Sequence, residues 1–181
     1  MCRPVIRSAG ERMELRCAEP ADLPQLNEVY QAVIRHMEQR GLHIWDEVYP
    51  CCCLPQDIAA ERLFLLRDGA EVAGVFALCA DCQEVAGMQW ADPSGKALYL
   101  ERLAVAPAYL GRGLGGQLLQ EAAGLARAAQ ACALRLFVVD ANEPAIRLYQ
   151  KNGFKQVAGS YDLEIAGSAA LHEFGFELAL A

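Results

Sequence analysis

Leu103-Ala104-Val105-Ala106-Pro107-Ala108-Tyr109-Leu110-Gly111-Arg112-Gly113-Leu114-Gly115-Gly116 reads as a strand, a glycine-dense turn and the start of a helix that continues through Gln117, Leu118, Leu119 and Glu121. Glycine lets the backbone bend so that several N–H groups point outward together, and the helix after it adds its positive end. Such a turn holds phosphate; the alternative is a turn that only lets strand and helix pack. Gly111-x-Gly113-x-x-Gly116 also matches the dinucleotide fingerprint, and the apolar run Leu134–Val139 ends on Asp140, as a ribose-binding acid ends the second strand of a Rossmann unit. That fingerprint wants its first glycine directly off the strand, whereas Pro107-Ala108-Tyr109-Leu110 intervene. Too few residues remain beyond it for a doubly wound sheet.

The residues after Asp140 point elsewhere. The run is Ala141-Asn142-Glu143-Pro144-Ala145-Ile146-Arg147-Leu148-Tyr149-Gln150-Lys151-Asn152-Gly153-Phe154. A glycine turn after an LAV-type strand, a second strand, then Asn-x-x-Ala-Ile-Arg-Leu-Tyr-x-x-x-Gly-Phe resembles the GCN5-related N-acetyltransferase (GNAT) superfamily, which uses acetyl-CoA. The resemblance extends from about Met13 to Leu180 and is specific at Asn142–Phe154. Trp45-Asp46-Glu47-x-Tyr49-Pro50 ahead of Asp57-Ile58 also resembles a subgroup of bacterial members. The fold so implied is α/β (α+β mixed): a mixed, mostly antiparallel sheet splayed between its fourth and fifth strands to admit the cofactor, flanked by helices. Residues 1–12 are expected to be a flexible tail and 13–181 a single acetyl-CoA-dependent N-acetyltransferase domain.

The resemblance also implies roles. CoA pyrophosphate is expected on the N–H groups of Gly111, Arg112, Gly113, Leu114, Gly115 and Gly116. The family usually has Gln or Arg where this chain has Leu110, so a modest loss of affinity is expected, with Arg112 on the same turn supplying charge. Leu103, Ala104 and Val105 are expected to pair with the pantetheine arm like another strand, one N–H polarising the thioester carbonyl. Asn142 resembles the residue that contacts this arm; its position before Pro144 also makes it an N-cap, and both can hold at once. Tyr149 is the expected acid that protonates the departing thiolate. Its other reading is a core tyrosine packed with Leu148 and Phe154.

The base that takes a proton from the attacking ammonium is less sharply marked. Glu101 shares a face with Leu103 and Val105 by strand alternation, and several members place a carboxylate near this position. Beside Arg102 it reads equally as half of a solvated pair. Members that acetylate protein N-termini often carry a glutamate five residues before the motif's asparagine, where this chain has Phe137. Asp140, His43 and Glu47 are second choices. Trp45 and Tyr49 lie in a segment mixing aromatics with acids, as an amine pocket does, and Trp90 is placed to close the same cleft. Each tryptophan is equally a loop anchor. His36 and His172 have no constellation around them and read as structural.

Composition agrees with a compact cytoplasmic enzyme. The 181 residues, 54% hydrophobic, suffice for one well-filled core. A net charge of −7 without Lys/Arg clusters argues against nucleic acid and mildly favours a cationic or neutral acceptor. No apolar run reaches a membrane span, and the opening Met1–Arg7 lacks the apolar stretch of a signal peptide. Of the eight cysteines, Cys79-x-x-Cys82 and Cys51-Cys52-Cys53 suggest a zinc site, but a contiguous triplet points its side chains apart and no His-x-x-x-His accompanies them. Reduced, structural thiols and no metal are expected.

Periodicity predicts a strand at Met13–Cys17, then a helix capped by Asp22 with Gln25 completing a capping box and Gly41 ending the run. A helical turn is expected at Ile58–Arg62. Strands Leu63–Arg67 and Glu71–Ala80 are joined by the hairpin signal Asp68-Gly69. After a polar loop come a strand at Ala97–Ala106, a helix from Gly113 to about Ala131, a strand at Ala133–Val139 and a helix at Pro144–Asn152. Strands Phe154–Ser160 and Leu171–Leu180 end the chain across a Gly/Ser/Ala-rich turn. The function expected is transfer of acetyl from acetyl-CoA to a primary amine of a small molecule or peptide, directly, in a ternary complex. A non-catalytic acyl-CoA-binding module or sensor on the same fold is the alternative. No membrane or nucleic-acid partner is expected, and exposed sheet edges near the C-terminus are compatible with a homodimer.

Overall fold

The computed structural model describes residues 6–7, 13–82, 87–163 and 170–180. Its strands are β1 (Ile6–Arg7), β2 (Met13–Cys17), β3 (Leu63–Asp68), β4 (Glu71–Cys79), β5 (Ala97–Val105), β6 (Ala133–Val139), β7 (Lys155–Leu163) and β8 (Leu171–Ala179). The helices are α1 (Leu23–Glu38), α2 (Leu54–Ala59), α3 (Leu114–Ala128) and α4 (Glu143–Lys151). The strand order is β1-β2-β3-β4-β5-β6-β8-β7. β5 and β6 pair in parallel, from Ala97 opposite Ala133 to Tyr99 opposite Arg135. The ladders β1–β2, β2–β3, β3–β4, β6–β8 and β7–β8 are antiparallel. This is the mixed, mostly antiparallel sheet with helices that the sequence implies. The parallel ladder stops at Tyr99, although β5 continues to Val105 and β6 to Val139.

Local chemistry explains most boundaries. Asp68 stands opposite Glu71 and Gly69 takes φ +59°, closing the β3–β4 hairpin in two residues. Gly41, at φ +75°, lies just past the end of α1. Two expectations change. The helical turn expected at Ile58–Arg62 is instead α2 at Leu54–Ala59, led by a 3-10 turn over Cys51–Cys53. Pro55 sits in the first turn, where its missing N–H is an orphan anyway, so the helix begins before the proline. Nor does Asp22 form a capping box with Gln25, whose amide donates to the Ala70 carbonyl. Residues 1–5 and 8–12 of the expected tail, and 164–169 of the expected terminal turn, lie outside the described residues.

The chain packs as two compact units, one of Met1–Leu78 with Arg102–Leu118 and one of Cys79–Glu101 with Leu119–Ala181. In the first, Leu15, Leu26, Leu63, Leu65 and Phe76 are fully buried, and Phe64 stacks on Phe76 at 5.3 Å. In the second, Leu134, Leu136 and Phe176 form the core, with Tyr149 packed against both Phe154 and Phe176. That unit also buries an ion pair across β6 and β8. Arg135 Nε is 2.7 Å from Glu177 Oε2, and its Nη2 donates to the Asp92 carbonyl at 2.6 Å. Among the described residues no helix is long and apolar enough to cross a membrane.

Asp22 acts through ion pairing. Arg16 grips it with two hydrogen bonds of 2.7 and 2.6 Å, Arg67 reaches it at 3.2 Å, and the Glu19 N–H donates at 2.7 Å. Burial opposes its charge, but Arg16's hydrogen bonds, the Glu19 N–H and the two guanidiniums outweigh it and lower its pKa below the ordinary 3.8. A depressed carboxyl stabilises the fold above its unfolded pKa and loses that contribution as pH falls through the folded value. Asp22→Asn should therefore lower stability by about 2 kcal/mol at neutral pH. The gap to the natural chain should shrink below 3.8, as read by urea melts across pH.

Candidate active site

The turn after β5 opens with a 3-10 turn at Pro107–Tyr109, then Gly111 and Gly113 take φ +76° and +79°. A Cβ at either would meet nothing within 4 Å, so backbone conformation rather than space demands glycine there. The N–H groups of Gly116 and Gln117 turn back to the Gly113 carbonyl. Those at the very start of α3 have no intrahelical acceptor by helix geometry. Gly111, Arg112 and Gly113 are exposed, as is Leu110. Arg112 lies with its guanidinium 5.0 Å over the Tyr109 ring, and the Tyr109 hydroxyl donates to Asp68 at 3.1 Å. A cationic, amide-rich turn of this kind suits a phosphate.

Ahead of it, β5 carries a feature that sequence reasoning missed. Arg102 has φ +54° in mid-strand and is 7% exposed, so its side chain is not a solvated surface charge. Its Nε lies 2.7 Å from Asp57 Oδ2, and the other oxygen of Asp57 accepts from Arg62 Nε at 2.7 Å. Tyr30, wholly buried, donates its hydroxyl to the Arg102 carbonyl at 2.7 Å. Along the strand Leu100, Arg102 and Ala104 are buried, while Glu101, Leu103 and Val105 are half-exposed. The aromatic segment adjoins the same cluster. Trp45 meets the Tyr30 ring edge-on at 5.8 Å and Tyr49 at 6.4 Å. Asp46 accepts from the Val48 and Tyr49 N–H groups, both at 2.7 Å, and these bonds lower its pKa. His43 and Glu47 are exposed.

The remaining predicted residues belong to the second unit. Asn142 caps α4, its side chain accepting from the Ala145 N–H at 3.3 Å. Further along α4, Tyr149 is 8% exposed, with Phe154 at 5.9 Å and Phe176 at 6.3 Å. Burial raises its phenol pKa well above the ordinary 10. Trp90 is a buried side chain, 5% exposed, between Tyr99, Phe137 and the Arg135 guanidinium 4.6 Å above it. Gly175 makes room for it, since a Cβ there would meet Trp90 at 3.1 Å. Its indole N–H has no hydrogen-bond acceptor among the described residues. His172 is not without a constellation: Nδ1 lies 2.6 Å from Asp162 Oδ1 and the ring meets Phe174 edge-on at 5.4 Å. Among the described residues no group of three or more His, Cys, Asp and Glu could hold a metal.

The profile of the acetyltransferase (GNAT) family matches residues 43–154, more than half of the chain, and spans both the glycine turn and the Asn142–Phe154 motif. The chain belongs to the GNAT acetyltransferase family. Solved structures agree on the fold. A GNAT-family acetyltransferase from Streptococcus agalactiae aligns with TM-score 0.75 and 18% identity over 92% of this chain and 95% of its own. The structure of yncA from Salmonella typhimurium, with its cofactor acetyl-CoA, aligns with TM-score 0.65 and 19% identity over 94% and 95%. The ribosomal-protein-S18-alanine N-acetyltransferase of Escherichia coli gives 0.67 and 19% over 93% and 94%. No curated protein matches the chain in sequence.

For this GNAT chain the buried carboxylate sets the sharpest stability test. Asp57→Ala removes the buried carboxylate that Arg62 and Arg102 share and should cost about 3–5 kcal/mol in chemical denaturation. Glu143→Ala, which removes an exposed pair with Arg147 at 2.7 Å, should cost under about 0.5 kcal/mol.

Proposed function

We propose that this GNAT chain transfers the acetyl group of acetyl-CoA to a primary amine of a small molecule or peptide. The observation that carries the reading is the family match across both motifs, the glycine turn and Asn142–Phe154. Gly111 through Gly115 would receive the pyrophosphate on their N–H groups, Gly116 closing the turn through its own N–H to the Gly113 carbonyl, with Arg112 adding the charge that Leu110 does not. Leu103–Val105 would pair with the pantetheine arm, one N–H polarising the thioester carbonyl, and Asn142 would contact the arm while capping α4. Glu101 would take the proton from the ammonium, so that the nitrogen attacks the carbonyl carbon and a C–N bond forms. As the C–S bond breaks, Tyr149 would give its proton to the leaving sulfur, and the second proton lost by the nitrogen would restore the phenol.

Burial supports the acid role, because a phenol whose pKa lies above 10 is fully protonated at neutral pH. Trp45 and Tyr49 offer aromatic faces to an amine, and the Trp90 indole N–H offers a donor still seeking an acceptor. Direct transfer is favoured over a covalent route through the thiols of the Cys51–Cys53 run. Burial, then the hydrogen bond with Cys52, pushes the Cys53 thiol up to about 11, leaving a neutral and poor nucleophile. The non-catalytic acyl-CoA-binding module draws support from Leu110 in place of Gln or Arg and from a base less sharply marked than the other site residues.

The test is CoA release from acetyl-CoA over a panel of polyamines, amino acids, aminoglycosides and short peptides. Turnover on one amine class is expected. Tyr149→Phe should lower kcat by about 10²–10³ with acetyl-CoA KM little changed, and Glu101→Gln by about 10-fold or more. Because Tyr149 holds its proton to above 10, its loss should not reshape the pH–rate profile below that pH. A melting temperature raised by acetyl-CoA, with no turnover on any amine and no effect of Tyr149→Phe, would establish the binding module instead.

A further inference from the structure

Among the described residues, three non-glycine residues take the left-handed backbone conformation: Glu61 at φ 51°, Arg102 at φ 54° and Gln130 at φ 59°. Glu61 and Gln130 come just after the ends of α2 and α3, where one left-handed residue ordinarily closes a helix. Arg102 sits inside β5, where nothing in strand geometry asks for it. A side chain in this conformation is strained, and such strain persists only where surrounding contacts over-determine it. Here those contacts are specific. The Tyr30 hydroxyl holds the Arg102 carbonyl at 2.7 Å, and Asp57, anchored by Arg62, holds the Arg102 guanidinium at 2.7 Å. Tyr30 and Asp57 are both 0% exposed, so each polar group has given up water to make this clamp.

We propose that Tyr30 and Asp57 are positioning residues for acetyl transfer. They hold Arg102 left-handed, and this bend sets the direction of the Leu103–Val105 N–H groups. The inference rests on the function proposed above, in which those N–H groups meet the pantetheine arm and the thioester carbonyl. Tyr30 has a second contact that gives the clamp a further consequence. Its ring supports Trp45, which in turn supports Tyr49. One side chain thus fixes both the strand edge offered to the acyl donor and the aromatic segment offered to the acceptor. Substitutions at Tyr30 should therefore disturb acetyl transfer even where the glycine turn still binds CoA.

The decisive comparison is Arg102→Gly against Arg102→Ala. Both lose the ion pair with Asp57, but glycine adopts φ 54° freely and alanine does not. With acetyl-CoA and the best amine of the panel, kcat of Arg102→Ala should fall about 10-fold below that of Arg102→Gly. CoA affinity by calorimetry should differ between them by less than kcat does, since the glycine turn that would hold the pyrophosphate is untouched. Tyr30→Phe keeps the ring on Trp45 and removes only the hydroxyl; its kcat should fall about 10-fold, with a smaller loss of CoA affinity. A purely structural role would lower melting temperatures without separating kcat from CoA binding. Equal kcat for the glycine and alanine variants, or unaltered kcat in folded Tyr30→Phe, overturns the positioning role while leaving the acetyltransferase reading intact. Absence of transfer by the natural chain overturns both.

Discussion

Asp57 is a carboxylate with no solvent exposure, and two arginines of the first unit close on it. Removing such a group from water costs several kcal/mol unless its oxygens are met by opposite charge and hydrogen bonds. Arg62 meets one oxygen and Arg102 the other, each at 2.7 Å. Arg102 has its backbone in the left-handed region, and the Tyr30 hydroxyl donates to its carbonyl. Through Asp57 and Tyr30, α2 and α1 both hold Arg102 in the middle of β5. The second unit uses the same device between β6 and β8, where Arg135 spans Glu177, the Tyr99 hydroxyl and the Asp92 carbonyl beneath the Trp90 ring.

Two kinds of physics recur in the candidate site. Backbone conformation makes the phosphate-type turn, where Gly111 and Gly113 are needed for φ alone and the start of α3 supplies amides. Burial tunes the side-chain chemistry. It holds the Tyr149 phenol protonated and the Cys53 thiol neutral, and it leaves the Trp90 indole N–H without an acceptor among the described residues. In each case the first cause is where the side chain is packed, with the neighbouring Cys52 adding to the effect at Cys53.

That distinction governs what could be read from the sequence. Elements bounded by local chemistry were legible: the Asp68-Gly69 hairpin, Ala133–Val139, and the Asn142-capped helix with Pro144 in its first turn. The two motifs named the family because they are contiguous. Long-range pairing of polar groups was not legible. Nothing in chain order marks Tyr30, Asp57 and Arg102 as partners, yet they converge across separations of 27 to 72 residues. His172 read as solitary because Asp162 reaches it only through the β7–β8 ladder. Asp22 read as a cap because its true partners, Arg16 and Arg67, lie on β2 and β3. Trp90 looked like a loop residue because the gap that receives it, above Gly175, is made by a distant strand.

The central claim, that the glycine turn and the β5 edge together receive the acyl donor, is tested most directly by the backbone amide spectrum of the 15N-labelled chain titrated with acetyl-CoA. The largest shifts are expected at the amides of Gly111–Gly116 and Leu103–Val105, with desulfo-CoA reproducing those at the glycine turn. Saturating acetyl-CoA that leaves both segments unmoved would contradict the claim.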